Sequence, residues 1–307
     1  MNLNRNAFDL ALNFVEANGR PLETARMKYR FRNGPLDNVA EALRSFQNDD
    51  GGFGNAIEPD LRAPESSAFG TSVAFQVMRE CDMRGFGEMP GNALEYLMNT
   101  FDESKVMWRS IPQSADASPR APWWNQKGRE DVFSSFSLNP TAEILGYLYD
   151  YQKQTPANVL SQVTNRVVTH LCESDKIEMH EFLCCLRLLN TRTLPKDIRD
   201  RVQGKLKDLT VSTVACDPTL WEGYNLRPLQ VVDRPESPFM TGLEEAVSKN
   251  LDYEIESQND DGSWTPTWTW GDAFPDIWKV ACLEWSGVIT LEKLLTLNRF
   301  DRIEGIA

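Results

Sequence analysis

Apolar residues recur every three to four positions along most of this chain, and strict polar–apolar alternation is nowhere sustained. That period turns one face of a helix toward a core, so it predicts helices over 4–18, 22–32, 36–47, 66–82, 90–101, 139–153, 157–173, 178–190, 195–208, 239–257, 275–286 and 289–298. Gly19-Arg20-Pro21, Gly34-Pro35 and Asn139-Pro140 punctuate the pattern, because glycine readily ends a helix and proline cannot donate the amide hydrogen bond that continues one. About twelve such segments make six hairpins, and without alternating runs a sheet-based fold is disfavoured.

Two interruptions of the pattern are the same. Gln47-Asn48-Asp49-Asp50-Gly51 returns unchanged as Gln258-Asn259-Asp260-Asp261-Gly262, followed by Gly52-Phe53 in one copy and Ser263-Trp264 in the other. Each copy follows a helical stretch, Val39 to Phe46 or Leu243 to Ile255, and enters a loop before the next helix, so the repeated unit is a helix–corner–helix. Glycine can take the left-handed conformation that ends a helix, and Asn and Asp satisfy exposed backbone groups in a turn. The copies lie 211 residues apart with no Gly/Ser linker between them, so a single closed shell over 1–307 is the simplest arrangement that makes them neighbours.

The corners resemble the QW motif of the terpenoid cyclase and protein prenyltransferase toroid superfamily. The resemblance implies an all-α fold, an (α/α)6 toroid or barrel of two concentric rings of helices around a central cavity. It also implies that each Gln ties a helix end to the next corner while the aromatic packs over it. By activity, it implies acid-initiated cyclisation or isomerisation of an isoprenoid. The chain departs from the family in its chemistry. The position that would open an Asp-x-Asp-Asp acid is Gln47 or Gln258, and the last position of an Asp-Asp-x-x-Asp run is Phe53 or Trp264. The same carboxylates and tryptophans would equally serve a carbohydrate-active hydrolase or lyase on an (α/α)6 barrel, and a non-catalytic binding toroid is the third alternative.

The best candidate acid lies just past the first corner, in Gly54-Asn55-Ala56-Ile57-Glu58-Pro59-Asp60-Leu61-Arg62. Two carboxylates, Glu58 and Asp60, flank a rigid proline, and Arg62 can hold one ionised while burial favours the protonated form of the other. The plainer expectation is that one of them caps the helix from Ser66. After the second corner, Asp272 and Asp276 are reserve acids, with Pro275-Asp276-Ile277 echoing Pro59-Asp60-Leu61. Trp268, Trp270 and Trp278, together with Trp123 and Trp124 of a proline-rich 102–138 segment, offer aromatic faces that suit a carbocation or a sugar ring. The expected partner is therefore a small molecule, an isoprenoid or a glycan.

Charge and composition narrow the rest. With 45 acidic and 32 basic residues the net charge is -13, which opposes binding to nucleic acid or anionic membranes. No run is long and apolar enough to span a bilayer, and residues 1–19 lack a signal-peptide core, so a cytoplasmic protein with reduced cysteines is expected. His180 and Cys184 share a helical face, with His170 and Cys172 upstream, yet their spacing fits a core helix as well as a zinc set. Neither a metal nor a cofactor is expected. Arg26, Lys28, Arg30 and Arg32 spread around more than one helical face; several turned inward could hold a diphosphate.

Overall fold

A computed structural model describes residues 1–83 and 85–306. Among these the chain is all-helical, with isolated β-bridges and no strand. Its contacts divide it into two compact units, one of residues 1–43 with 214–307 and one of residues 44–213.

In the second unit α4 (Ala68–Glu80), α5 (Met89–Asn99), α6 (Glu130–Ser134), α7 (Leu138–Asp150), α8 (Ala157–Glu173), α9 (Met179–Leu189) and α10 (Lys196–Thr213) follow the first corner. Helix α7 is buried on every side from Pro140 to Tyr149 and packs against α4, α8 and α9. Over that stretch only Thr141 and Glu143 interrupt its apolar and aromatic surface, as suits a helix without a solvent face. In the first unit α1 (Arg5–Asn18) and α2 (Pro21–Phe31) pack against α13 (Pro275–Arg299), and α12 (Glu244–Glu256) packs against the short α11 (Pro228–Val231). The division between units falls inside α3 (Leu36–Arg44).

The two corners have the same internal wiring. The Gln47 amide donates to Gly51 O at 2.9 Å and to Met89 O of α5 at 3.2 Å. That of Gln258 donates to Gly262 O at 2.9 Å and to Ala7 O of α1 at 3.0 Å. Gly51 and Gly262 hold φ of 86° and 88°. Each lies against its partner helix three residues beyond the carbonyl that the glutamine engages, at Asn92 and at Leu10. The aromatic positions dock alike: Phe53 N donates to Thr71 Oγ1 of α4 at 3.1 Å and Trp264 N to Thr290 Oγ1 of α13 at 3.0 Å. Thus α1 serves the corner before α13 as α5 serves the corner before α4.

One substitution within the repeat is compensated from elsewhere in the chain. Asp261 Oδ1 accepts from the hydroxyl of Ser263 at 2.7 Å, and Asn259 Nδ2 donates to it at 3.1 Å. The first corner has Gly52 there, and Ser66 supplies the hydroxyl instead, 2.6 Å from Asp50 Oδ1 and 2.9 Å from Asn48 Nδ2. A Cβ on residue 52 would stand 2.6 Å from the Ser66 Cβ, so the position must be glycine for Ser66 to enter.

Several predicted boundaries change. The helices expected over 275–286 and 289–298 are one continuous α13, because Gly287 is an interior contact point. A Cβ on it would meet Gly19 Cα at 3.0 Å, so this glycine serves the close approach of α13 to the α1–α2 turn and does not end a helix. The segment expected over 239–257 begins at Glu244, after a turn in which Gly242 takes φ 89°. No helix among the described residues is long and apolar enough to cross a membrane.

Candidate functional site

The segment after the first corner turns inward at a cost. Asn55 and Ala56 are consecutive non-glycine residues in the left-handed region, with φ of 54° and 60°. Such residues cost roughly 1–3 kcal/mol each and persist only where their surroundings impose them. Here Asn55 N donates to Ala63 O at 3.1 Å and Ile57 N to Gly54 O at 3.0 Å, while the Asn55 side chain reaches Asn48 Oδ1 at 3.0 Å. Gly54 completes the closure, since a Cβ there would stand 2.3 Å from Glu65 O. The result is a tight excursion carrying Glu58-Pro59-Asp60 inward: Asp60 is 3% exposed and Glu58 9%.

The 102–138 segment covers this excursion. Ala121 N donates to Asp60 O at 2.8 Å and Arg62 N to Pro119 O at 3.1 Å, pairing Leu61 with Arg120. Leu61 and Ala63 then pack with Ile111, Ala115 and Phe133, flanked by Phe69 and Trp124, whose rings lie 4.8 Å apart. Buried Gln126 organises the covering loop. Its Nε2 donates to Pro112 O at 2.9 Å, its Oε1 accepts from Arg109, and its backbone N donates to Asp116 Oδ1 at 3.2 Å. The 102–138 segment thus meets the Asp60 excursion through backbone pairing. Trp124 sits in the apolar cluster, whereas Trp123 is 39% exposed beside it.

The capping role considered for Glu58 or Asp60 belongs to Ser67, whose hydroxyl accepts from Gly70 N at 2.8 Å at the start of α4. The echo between Pro59-Asp60-Leu61 and Pro275-Asp276-Ile277 does not extend to structure. Asp60 is buried eight residues ahead of α4, while Asp276 stands in the first turn of α13, exposed and paired with Lys279 at 2.9 Å. Asp272 is exposed too. These two acids and Trp268, Trp270 and Trp278 belong to the unit of residues 1–43 and 214–307, and Asp60 to the other. Within the former, these three tryptophans fall into two groups. Trp268 meets Tyr224 and Trp285 edge to face at 5.4 and 5.1 Å, and fully buried Trp270 lies 5.6 Å from Trp278.

The basic residues of α2, and Arg32, which caps its C-terminus, have separate tasks. Lys28 and Arg32 both bind Glu16, the former at 2.8 Å, which holds the Glu16 carboxyl below its ordinary range. Arg26 is buried on the other side, 3.9 Å from Glu23.

Two buried polar clusters had no signal in the motifs. In the first, Glu143 of α7 accepts from Tyr147 Oη at 2.5 Å and Arg187 Nη1 at 3.0 Å, with Cys184 Sγ 3.6 Å away. Burial, then the Glu143 charge, raises the Cys184 thiol well above its ordinary value, and the same two causes raise Tyr147. Cys184 thus faces a carboxylate and Asn139, and among the described residues no group of three His, Cys, Asp or Glu gathers as a metal would need. A charge on an otherwise largely apolar α7 was the available clue. In the second, Glu254 accepts from Arg227 and Asn250, each at 3.2 Å, and pairs with Lys293. Burial lowers the Lys293 ammonium despite that carboxylate. The Glu254 carbonyl also accepts from Trp264 Nε1 at 2.8 Å, so this cluster anchors the second corner.

No protein-family model, curated protein or solved structure matches this chain.

Proposed function

We propose that the chain is a closed (α/α)6 toroid of the kind the corners resemble, and that Asp60, assisted by Glu58 and Arg62, is the acid of a site that rearranges an isoprenoid. The observation that carries this reading is the strained inward excursion at Asn55-Ala56, which delivers two carboxylates to positions at most 9% exposed beside an aromatic and aliphatic cluster. Strain of this kind gathers at functional sites, and an apolar wall suits a hydrocarbon chain. The closed ring is supported by the two corners, whose glutamines engage α5 in one copy and α1 in the other by the same bonds.

The chemistry needs no cofactor. Asp60 transfers its proton to an alkene carbon, the cation so formed is stabilised by aromatic faces, and loss of a proton to a carboxylate yields an isomer or ring. Proton and substrate balance, because one proton enters and one leaves. A second reading, a glycan-active enzyme, is favoured by Trp123 alone, a 39% exposed ring two residues past Ala121, whose backbone N donates to Asp60 O.

The test is product analysis after incubating the protein with prenyl hydrocarbons, prenyl alcohols, prenyl diphosphates and oligosaccharides. Asp60→Asn is expected to lower turnover of the prenyl substrate roughly 100- to 10,000-fold with the circular dichroism spectrum unchanged. Turnover within about threefold of the parent would remove Asp60 from the chemistry, and turnover of oligosaccharides alone would replace the isoprenoid reading.

A further inference from the structure

Burial deprives an indole N–H of water, so a buried tryptophan ordinarily gives its proton to a carbonyl. Three tryptophans here do so. Trp108 Nε1 donates to Leu97 O at 2.6 Å, Trp221 Nε1 to Ala215 O at 2.7 Å, and Trp264 Nε1 to Glu254 O at 2.8 Å. Trp124 departs from that pattern: its Nε1 is buried and has no acceptor among the described residues, a state it shares with Trp285. What separates Trp124 is its address. Its backbone N donates to Ala121 O at 3.0 Å, and Ala121 N donates to Asp60 O at 2.8 Å, so the indole is carried on the turn that covers the carboxylate excursion. Its ring packs on Phe69 at 4.8 Å and on Phe133 at 6.3 Å, among residues that contribute no side-chain acceptor.

We infer that the Trp124 indole N–H is a specificity-determining donor for a neutral oxygen of the ligand, so that the site takes a hydroxyl-bearing isoprenoid in preference to the corresponding hydrocarbon. This rests on the isoprenoid reading of the Asp60 site. Leaving such a donor unpaired in a buried setting is costly, and an oxygen that reaches it recovers that cost, whereas a methyl group in the same place does not. A neutral oxygen is the fitting acceptor because the indole N–H is itself a neutral donor and brings no charge to balance that of an anionic headgroup. Ligand oxygen and indole proton then fix which end of an otherwise featureless hydrocarbon chain meets the acid.

The experiment measures binding of farnesol and of its analogue lacking only the hydroxyl, by titration followed in the indole region of the proton–nitrogen spectrum. Trp124→Phe identifies the Trp124 signal. The expected result is a downfield shift of that proton with farnesol only, and affinity for farnesol roughly tenfold to a hundredfold above the deoxy analogue. In Trp124→Phe the ratio falls to within about threefold of one. Equal affinities in the parent protein overturn the donor role and leave the isoprenoid site standing; absence of binding by either compound overturns both. Should the variant fail to fold, the affinity ratio of the parent protein decides alone.

Discussion

If the two corners are one structure used twice, the same perturbation must cost the same in each. Gly51→Ala and Gly262→Ala provide that perturbation. At φ of 86° and 88° an L side chain is disfavoured by roughly 1–2 kcal/mol before any contact is considered. The new Cβ would also stand 2.4 Å from Asn92 O in one case and 2.4 Å from the Leu10 carbonyl carbon in the other, and both are helix backbone that cannot swing aside. Displacing a packed helix adds roughly 1–3 kcal/mol, and the lower entropy of an unfolded chain with alanine returns less than about 1 kcal/mol. Each variant should therefore lose about 2–4 kcal/mol, with the two values within about 1 kcal/mol of each other. Gly204 is the control. It lies on an exposed part of α10, and a Cβ added there would meet nothing within 4 Å, so Gly204→Ala should gain roughly 0.5–1 kcal/mol.

The assay is equilibrium urea unfolding followed by tryptophan fluorescence and by helical ellipticity. Because Gly51 and Gly262 belong to different contact units, the transitions carry further information. A single domain unfolds in one transition that both variants shift equally, whereas independently stable units give two, each moved by one variant. A loss below about 0.5 kcal/mol at either glycine, or a heavy loss at one beside none at the other, would refute the equivalence of the corners.

Cys184 and Cys185 should resist a thiol reagent in the native protein while exposed Cys216 reacts at once, as a reaction time course would show. Burial, followed by the charges of Glu143 and Glu181 respectively, raises both thiols in the fold, so they remain protonated where unfolded cysteines ionise. Their contribution to stability is thus complete below pH about 8.5 and declines above it, by about 1.4 kcal/mol per thiol per pH unit, until the folded value is reached. Urea midpoints between pH 8 and 10 should be less steep in Cys185→Ala, and an unchanged slope would contradict this assignment. A circular permutant that joins the chain ends through a short flexible linker and opens between exposed Asp175 and Lys176 should fold. Leu3 N already donates to Arg302 O at 2.8 Å and Glu304 N to Leu3 O at 2.9 Å, so the terminal segments pair in the native state. An unfolded permutant would count against the closed ring.

The helices were legible because their apolar faces are local in sequence, and their errors have local causes. The helix expected over 36–47 stops at Arg44 because Gln47 N turns back to Arg44 O at 3.0 Å and frees the glutamine side chain for the corner. That expected over 195–208 runs to Thr213, where Thr210 and Thr213 return their hydroxyls to Leu206 O and Leu209 O at 2.8 and 2.9 Å. Helices α6 and α11 are too short to show a period at all. The site divides in the same way. Glu58 and Asp60 could be named from a proline between two acids, but their burial depends on the pairing of residue 61 with residue 120. Glu143 and Arg187 are likewise 44 positions apart, beyond any local pattern.

The exchange of Ser66 for Ser263 explains why repeat matching stops where it does. What the two corners share is a set of hydrogen-bond positions: a glutamine amide, a left-handed glycine, and a hydroxyl between Asn and Asp side chains. The hydroxyl is supplied within the corner in one copy and from 14 residues past Gly52 in the other. Entry of Ser66 brings the start of α4 onto the first corner, so the intervening chain, with both ends fixed, must close over a short distance. Gly54, Asn55 and Ala56 perform that closure in left-handed or crowded geometry, and the acids they carry are turned into the protein. Ser263 lies within its own corner, and the corresponding stretch, Thr265 to Phe274, leaves Asp272 in solvent, as the first turn of α13 leaves Asp276. Corners that share their hydrogen-bond positions are thus followed by one loop that buries its carboxylates and one that exposes them.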